Sequence, residues 1–78
     1  MDGIEKRITI NSDMLNGKPA IRGKRIAVQT ILDFLASGDS VEEILYHYPS
    51  LEEEDIYACI QFASNLMQNN YEVEPIFA

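Results

Sequence analysis

Two side chains in this sequence have the types for nucleophilic catalysis, one cysteine (Cys59) and one histidine (His47). A working Cys–His pair needs hydrogen-bond contact between the two groups. Here they fall on different predicted helices. Cys59 lies on an apolar stripe, where a free thiol is usually buried and inert. His47 falls in the last turn of a short helix, where a cation complements the macrodipole. No catalytic residue is assigned, and an enzyme is not expected. Glu52, Glu53, Glu54 and Asp55 form an acidic run that invites a metal reading. Successive helical residues point about 100° apart, so four in a row cannot converge on one ion. Capping and solvation explain them better, and neither a metal nor a cofactor is expected. Gly17-Lys18-Pro19 and Gly23-Lys24 lack the Gly-x-x-x-x-Gly-Lys-Ser/Thr spacing of a phosphate loop.

Charge is distributed more tellingly than its sum. The net charge is −7, yet all six basic residues precede Ala27, against three acids there, so that stretch carries +3. From Val28 onward there are ten acids and no Lys or Arg, giving −10. A cationic arm of this kind serves either phosphate or the chain's own acidic helices, and self-neutralisation is the commoner use. If DNA is a ligand, Lys18, Arg22, Lys24 and Arg25 are the phosphate candidates. Tyr57, Gln61 and Asn65 then share the polar side of the third helix, beyond its acidic turn, and are the base-reading candidates. At the other end, Tyr71, Val73, Ile76 and Phe77 place large apolar groups on a short segment broken by Pro75, and so form a candidate partner-binding segment. They fold back, cross to a second subunit or dock in a partner groove, and the alternation Tyr71 to Glu74 suits an added edge strand.

Three amphipathic helices must position these groups. Val28, Ile31, Leu32 and Leu35 fall at i, i+3, i+4 and i+7; Val41, Ile44, Leu45 and Tyr48 repeat the spacing; Ile56, Cys59, Ile60, Ala63 and Met67 continue it. Gly38 stands where a left-handed residue ends the first helix. Ser40 with Glu43 has capping-box spacing, Pro49 stops the second helix, and Ser50 with Glu53 offers a second box. A short helix, a break of three or four residues and a longer helix, with another helix before them, outline a helix-turn-helix unit, although plain bundles share that outline. Before it, Lys6 to Ile10 alternates as a short strand and Asp13 to Asn16 predicts a helical turn ended by Gly17. Lys24 to Ile26 is expected to run extended and pair with the first strand. The expected architecture is mainly α, a single domain over 1–78: a β arm over 6–26, a three-helix core over 28–69 and a tail over 70–78.

A chain of 78 residues with 46% hydrophobic content supports one small core. Its size makes added burial through self-association or a partner plausible. No apolar run approaches the roughly 20 residues of a membrane span, and Met1 to Ile10 lacks a signal peptide's apolar core, so a cytoplasmic protein is expected. One cysteine, which cannot pair internally, fits a reducing compartment.

The order ITI, NGKPAIRGKRIAV, ILDFLASGDSVEEILYHYPSL and EDIYACIQFA resembles the domain of unknown function 433, a prokaryotic family of small antitoxin-like proteins with a homeodomain-like tri-helical fold. The resemblance runs from about Ile8 to Ala63. It rests on Gly17-Lys18-Pro19, the Arg22 to Ile26 arm, the Gly38-Asp39-Ser40 turn, Glu42-Glu43-Ile44-Leu45, Tyr48-Pro49 and Asp55-Ile56. It implies an antitoxin-like protein that binds and neutralises a small PIN-like ribonuclease toxin and binds its own operator DNA; a homodimer is expected from the small size of the core and the apolar tail. The alternative is an acidic protein-protein interaction module without DNA binding. Lys24 stands where the family commonly has Thr, which makes the arm more basic. The acids from Glu52 to Asp55 sit awkwardly against phosphates.

Overall fold

The computed structural model describes residues 4–11, 13 and 15–70. Its order is α1 (Ile4–Arg7), β1 (Ile8–Ile10), a single turn at Leu15–Gly17, β2 (Pro19–Ile21), α2 (Val28–Ala36), α3 (Val41–His47) and α4 (Glu53–Asn70). The fold is mainly α with a two-stranded N-terminal sheet, as the sequence implies. β1 and β2 pair antiparallel with Ile8 opposite Ile21 and Ile10 opposite Pro19. Ile8 and Ile21 enter the core, and Ile10 faces solvent. Ile31, Ile44, Ile56 and Cys59 fill the centre between the helices with no exposed surface.

The joint between α2 and α3 follows the sequence closely. Gly38 has φ +98°, its amide donates to Leu35 O at 3.0 Å, and the Asp39 amide donates to Phe34 O at 3.0 Å. That pair of bonds is a Schellman ending. Ser40 then opens α3 with both halves of a capping box. The Glu43 amide donates to Ser40 Oγ at 3.1 Å, and the Ser40 amide donates to Glu43 Oε1 at 2.7 Å.

Other expectations are corrected. The break between α3 and α4 is five residues, Tyr48 to Glu52, and α4 is capped two residues later than Ser50 and Glu53 imply. The Asp55 carboxylate accepts from the Glu52 amide at 2.8 Å, so Glu52 and Asp55 form the reciprocal half of a box. Leu51 and Ile56, both buried, occupy the two positions of a hydrophobic staple and fix that frame. Lys6 and Arg7 end a helical turn, and the strand is only Ile8–Ile10. The partner of β1 is Pro19–Ile21, not Lys24 to Ile26. The chain turns at Arg22 and Gly23, whose φ of +73° demands glycine, and returns so that Ile21 N donates to Ile26 O at 3.0 Å and Ala27 bridges Ala20. The turn ending at Gly17 is left-handed, with φ +53°, +57° and +79° at Leu15, Asn16 and Gly17. Asn and Gly tolerate this, whereas Leu15 is strained there.

The third stripe is also redrawn. Ile60 is 43% exposed and Met67 57% exposed, while Asp55, Ala58 and Phe62 turn inward. α4 has 18 residues, about 27 Å, against nine and seven residues for α2 and α3, about 14 and 10 Å. Its second half outruns the helices that cover its first.

Candidate functional site

The acidic start of α4 is organised by a residue 48 positions away. Arg7 Nη1 donates to Asp55 Oδ1 at 2.8 Å and to Glu52 Oε1 at 3.0 Å. Asp55 is buried, and a buried carboxylate is retained only when paired and hydrogen-bonded. Both of its oxygens are engaged, one by the guanidinium and one by the helix's own first amide. The four acids splay as helical geometry requires: Glu52 and Asp55 meet Arg7, Glu53 accepts from the Tyr57 hydroxyl at 3.0 Å, and Glu54 is exposed. Among the described residues no three His, Cys, Asp or Glu side chains gather as a metal site would.

The basic arm is divided in two. Arg22 and Lys24 join Lys6 and Arg7 around a polar cleft of about 340 Å³ that Ser50, Glu52 and Asp55 close from the helical side. The Arg22 amide donates to Arg7 O at 2.7 Å, which ties the turn to α1. Lys18 lies elsewhere, on the rim of an apolar crevice of about 330 Å³ between β2, α2 and α4, whose walls include Val28, Leu32, Phe62 and Leu66. Arg25 is exposed. The phosphate candidates therefore do not form one patch.

Tyr57, Gln61 and Asn65 lie four residues apart along α4, with Asn65 half-buried and the other two exposed. Their polar atoms are already engaged along the helix, Tyr57 with Glu53 and Gln61 Nε2 with Asn65 Oδ1 at 3.0 Å. Donating its proton to the Glu53 carboxylate raises the Tyr57 phenol above its ordinary value. Tyr71, Val73, Ile76 and Phe77 lie outside the described residues.

Cys59 and His47 are kept apart. Burial pushes the Cys59 thiol up to about 12, with Asp55 adding to the effect, so it stays protonated near neutral pH. His47 is exposed, and its ring stacks on Phe34 at 6.1 Å with 13° between planes. Tyr48 meets Phe34 edge-on at 6.0 Å, and Tyr46 meets His47 at 5.7 Å. Sequence periodicity did not isolate this aromatic face. The repeated aromatics of Tyr46-His47-Tyr48, with Phe34 one helix earlier, are the signal that could have marked it.

The family model described as "Protein of unknown function (DUF433)" matches residues 8–63. The chain belongs to the DUF433 family. A crystallised DUF433 member from Anabaena variabilis superposes with a TM-score of 0.72 at 30% identity, covering 85% of this chain and 62% of that one. The uncharacterized protein y4eO of Sinorhizobium fredii is 41% identical over 49 residues, which is 63% of this chain and 22% of that protein. This DUF433 chain thus spans about a fifth of that curated relative and under two thirds of the solved one. Among its described residues no helix is long and apolar enough to cross a membrane.

Proposed function

We propose that this DUF433 protein is a non-enzymatic, antitoxin-like binding protein that holds and neutralises a small ribonuclease toxin of the PIN type in the cytoplasm. The observation that carries this reading is the uncovered apolar surface of α4. Ile60, Leu66 and Met67 are each more than two fifths exposed, and Leu66 also walls the open crevice beside Leu32 and Phe62. A small domain gains by covering such a surface with a partner. The acidic character of α3 and α4 supports a partner that itself binds a polyanion, because the helices present the charge sign of RNA. That same feature also fits the alternative, an acidic protein-binding module without a DNA role.

Operator binding is the second activity of the reading, and the exposed cations Lys18, Arg22 and Arg25 favour it. The carboxylates at the start of α4 oppose entry of that end into a groove, so the arm supplies the phosphate contacts. The test is a ribonuclease assay in which the full chain is titrated into a small PIN-type ribonuclease taken from its own genome, with fluorogenic RNA as substrate. Stoichiometric loss of cleavage is expected. Undiminished cleavage at about tenfold excess of the chain, or the absence of a complex on size exclusion, would reject the antitoxin reading. Gel shifts on the upstream region at about 50 mM salt, where counterion release helps most, test the operator half separately.

A further inference from the structure

We propose that the aromatic and acidic face of α3 docks the basic turn of a second copy of this chain, so that two copies associate with twofold symmetry through that pair of surfaces. Tyr46 is 83% exposed, a value unusual for so large a ring, and His47 and Phe34 extend it into a ladder of rings across α2 and α3. Glu42 lies one helical turn before Tyr46 and is exposed beside it. A ring flanked by a carboxylate is the surroundings that an arginine side chain takes, since the guanidinium stacks on the ring while its edge donates to the acid.

The chain itself supplies the complementary surface. Arg25 and Lys24 sit on the tight turn after β2, and the ion pairs found among the described residues bring neither within 4 Å of a carboxylate. From Val28 onward the sequence has no Lys or Arg with which Glu42 and its neighbours could pair. In the proposed pair a twofold axis lays each turn on the other copy's rings, so the contact is isologous and closes at two copies.

Net charge makes the proposal separable from ordinary stickiness. Each copy carries −7, so an apolar association strengthens when salt screens the mutual repulsion. The proposed contact joins opposite charges and weakens instead. Sedimentation equilibrium of the full chain is measured at about 10 mM and about 1 M salt, between which the Debye length falls from about 30 to about 3 Å. The expected result is a dimer at low salt that dissociates at high salt. Glu42→Arg lowers the net repulsion, yet it is expected to weaken association about tenfold or more, as is Arg25→Glu, and the double variant restores it. Tyr46→Ala weakens it without changing helical circular dichroism. A monomer at low salt, a dimer that tightens with salt, or a charge swap that fails to restore association while all variants remain folded overturns the proposal. Association that survives Tyr46→Ala unchanged does so too.

Discussion

Replacing Asp55 by Asn tests the link between the arm and α4 with a change of almost no volume. The carboxylate accepts at both oxygens, from Arg7 Nη1 at 2.8 Å and from the Glu52 amide at 2.8 Å, whereas a carboxamide has one acceptor and one donor. If the amide oxygen faces Arg7, its NH₂ opposes the Glu52 N–H and the cap is lost, at about 1 kcal/mol. If it faces Glu52, the charge-assisted bond to a largely buried guanidinium is lost, at about 1.5–3 kcal/mol. In either orientation the Arg7–Glu52 ion pair remains, but the Glu52 side chain is 67% exposed, so that pair contributes little. A loss of about 2–3 kcal/mol follows, against a total of about 4–12 kcal/mol for a chain of this length. That corresponds to a drop in Tm of about 10–20 °C. Glu54→Gln removes the same charge from the same helical turn at an exposed position and is the control, expected within about 0.5 kcal/mol of the parent. Urea unfolding followed by circular dichroism at neutral pH measures both. If the two variants differ by less than about 0.5 kcal/mol, the buried pair does not anchor the arm and the reasoning fails. A double-mutant cycle with Arg7→Met, in which the coupling should exceed about 1 kcal/mol, checks the assignment to this pair.

Ile44→Ala should cost about 2–5 kcal/mol because Ile44 has no exposed surface, whereas Ile60→Ala, at a position 43% exposed, should cost about 1 kcal/mol or less. Equal shifts in urea midpoint would show that α4 is rotated from the orientation described here. Gly38→Ala meets nothing within 4 Å of the added methyl, so its expected loss of about 1–2 kcal/mol comes from the left-handed backbone alone, and an unchanged Tm would contradict it. Cys59 has its thiol raised from 9.0 to about 12 in the folded chain, so its contribution is complete below pH 9 and is lost as pH rises towards 12. By pH 10 the expected decrease is on the order of 1 kcal/mol, and Cys59→Ala should lack that slope in a stability profile against pH. Replacing Arg22, Lys24 and Arg25 by Ala should lower the salt slope of any DNA binding by roughly 0.9 log unit per lost contact, and an unchanged slope would remove the arm from the phosphate interface.

The parts legible in the sequence were those specified within a few residues. The Schellman ending at Gly38 and the Ser40–Glu43 box need only local backbone and one side chain, and both were placed correctly. The cap of α4 was misplaced because Ser50 and Glu53 satisfy the same local spacing as the true frame. What selects Glu52 and Asp55 is the burial of Leu51 and Ile56 together with Arg7, which arrives from 48 residues away. The stripe of α4 drifted for a related reason. Periodicity continued it through Ile60 and Met67, but a helix twice the length of its neighbours runs out of core before its apolar residues end. In the arm, the positive φ of Gly23 sends Lys24 to Ile26 back along β2, a direction that residue alternation does not carry, so that β2 and not the returning segment meets β1. Tyr57, Gln61 and Asn65 recur every four residues along α4, but their engagement with one another and with Glu53 depends on rotamers that spacing does not specify.

The division of the arm constrains what it can do at once. Arg7 is committed to Asp55 and Glu52, and Lys18 stands apart at the apolar crevice, while the turn itself carries Arg22, Lys24 and Arg25. Three phosphate contacts per chain fall short of the roughly 6–10 that give DNA-binding proteins their steep salt dependence. Tight operator binding by this arm therefore requires at least two copies acting together. Yet the proposed contact between copies buries Arg25 and Lys24 against Tyr46 and Glu42, where they cannot reach phosphate. The two uses compete for the same side chains, and DNA binding through the turn would have to release the contact between copies. Glu42→Arg weakens that contact while leaving the cationic turn intact, so it should raise affinity for DNA in the same salt where it lowers self-association. Opposite signs for one substitution would tie both activities to one turn, whereas a loss of both would place the DNA surface on the dimer itself.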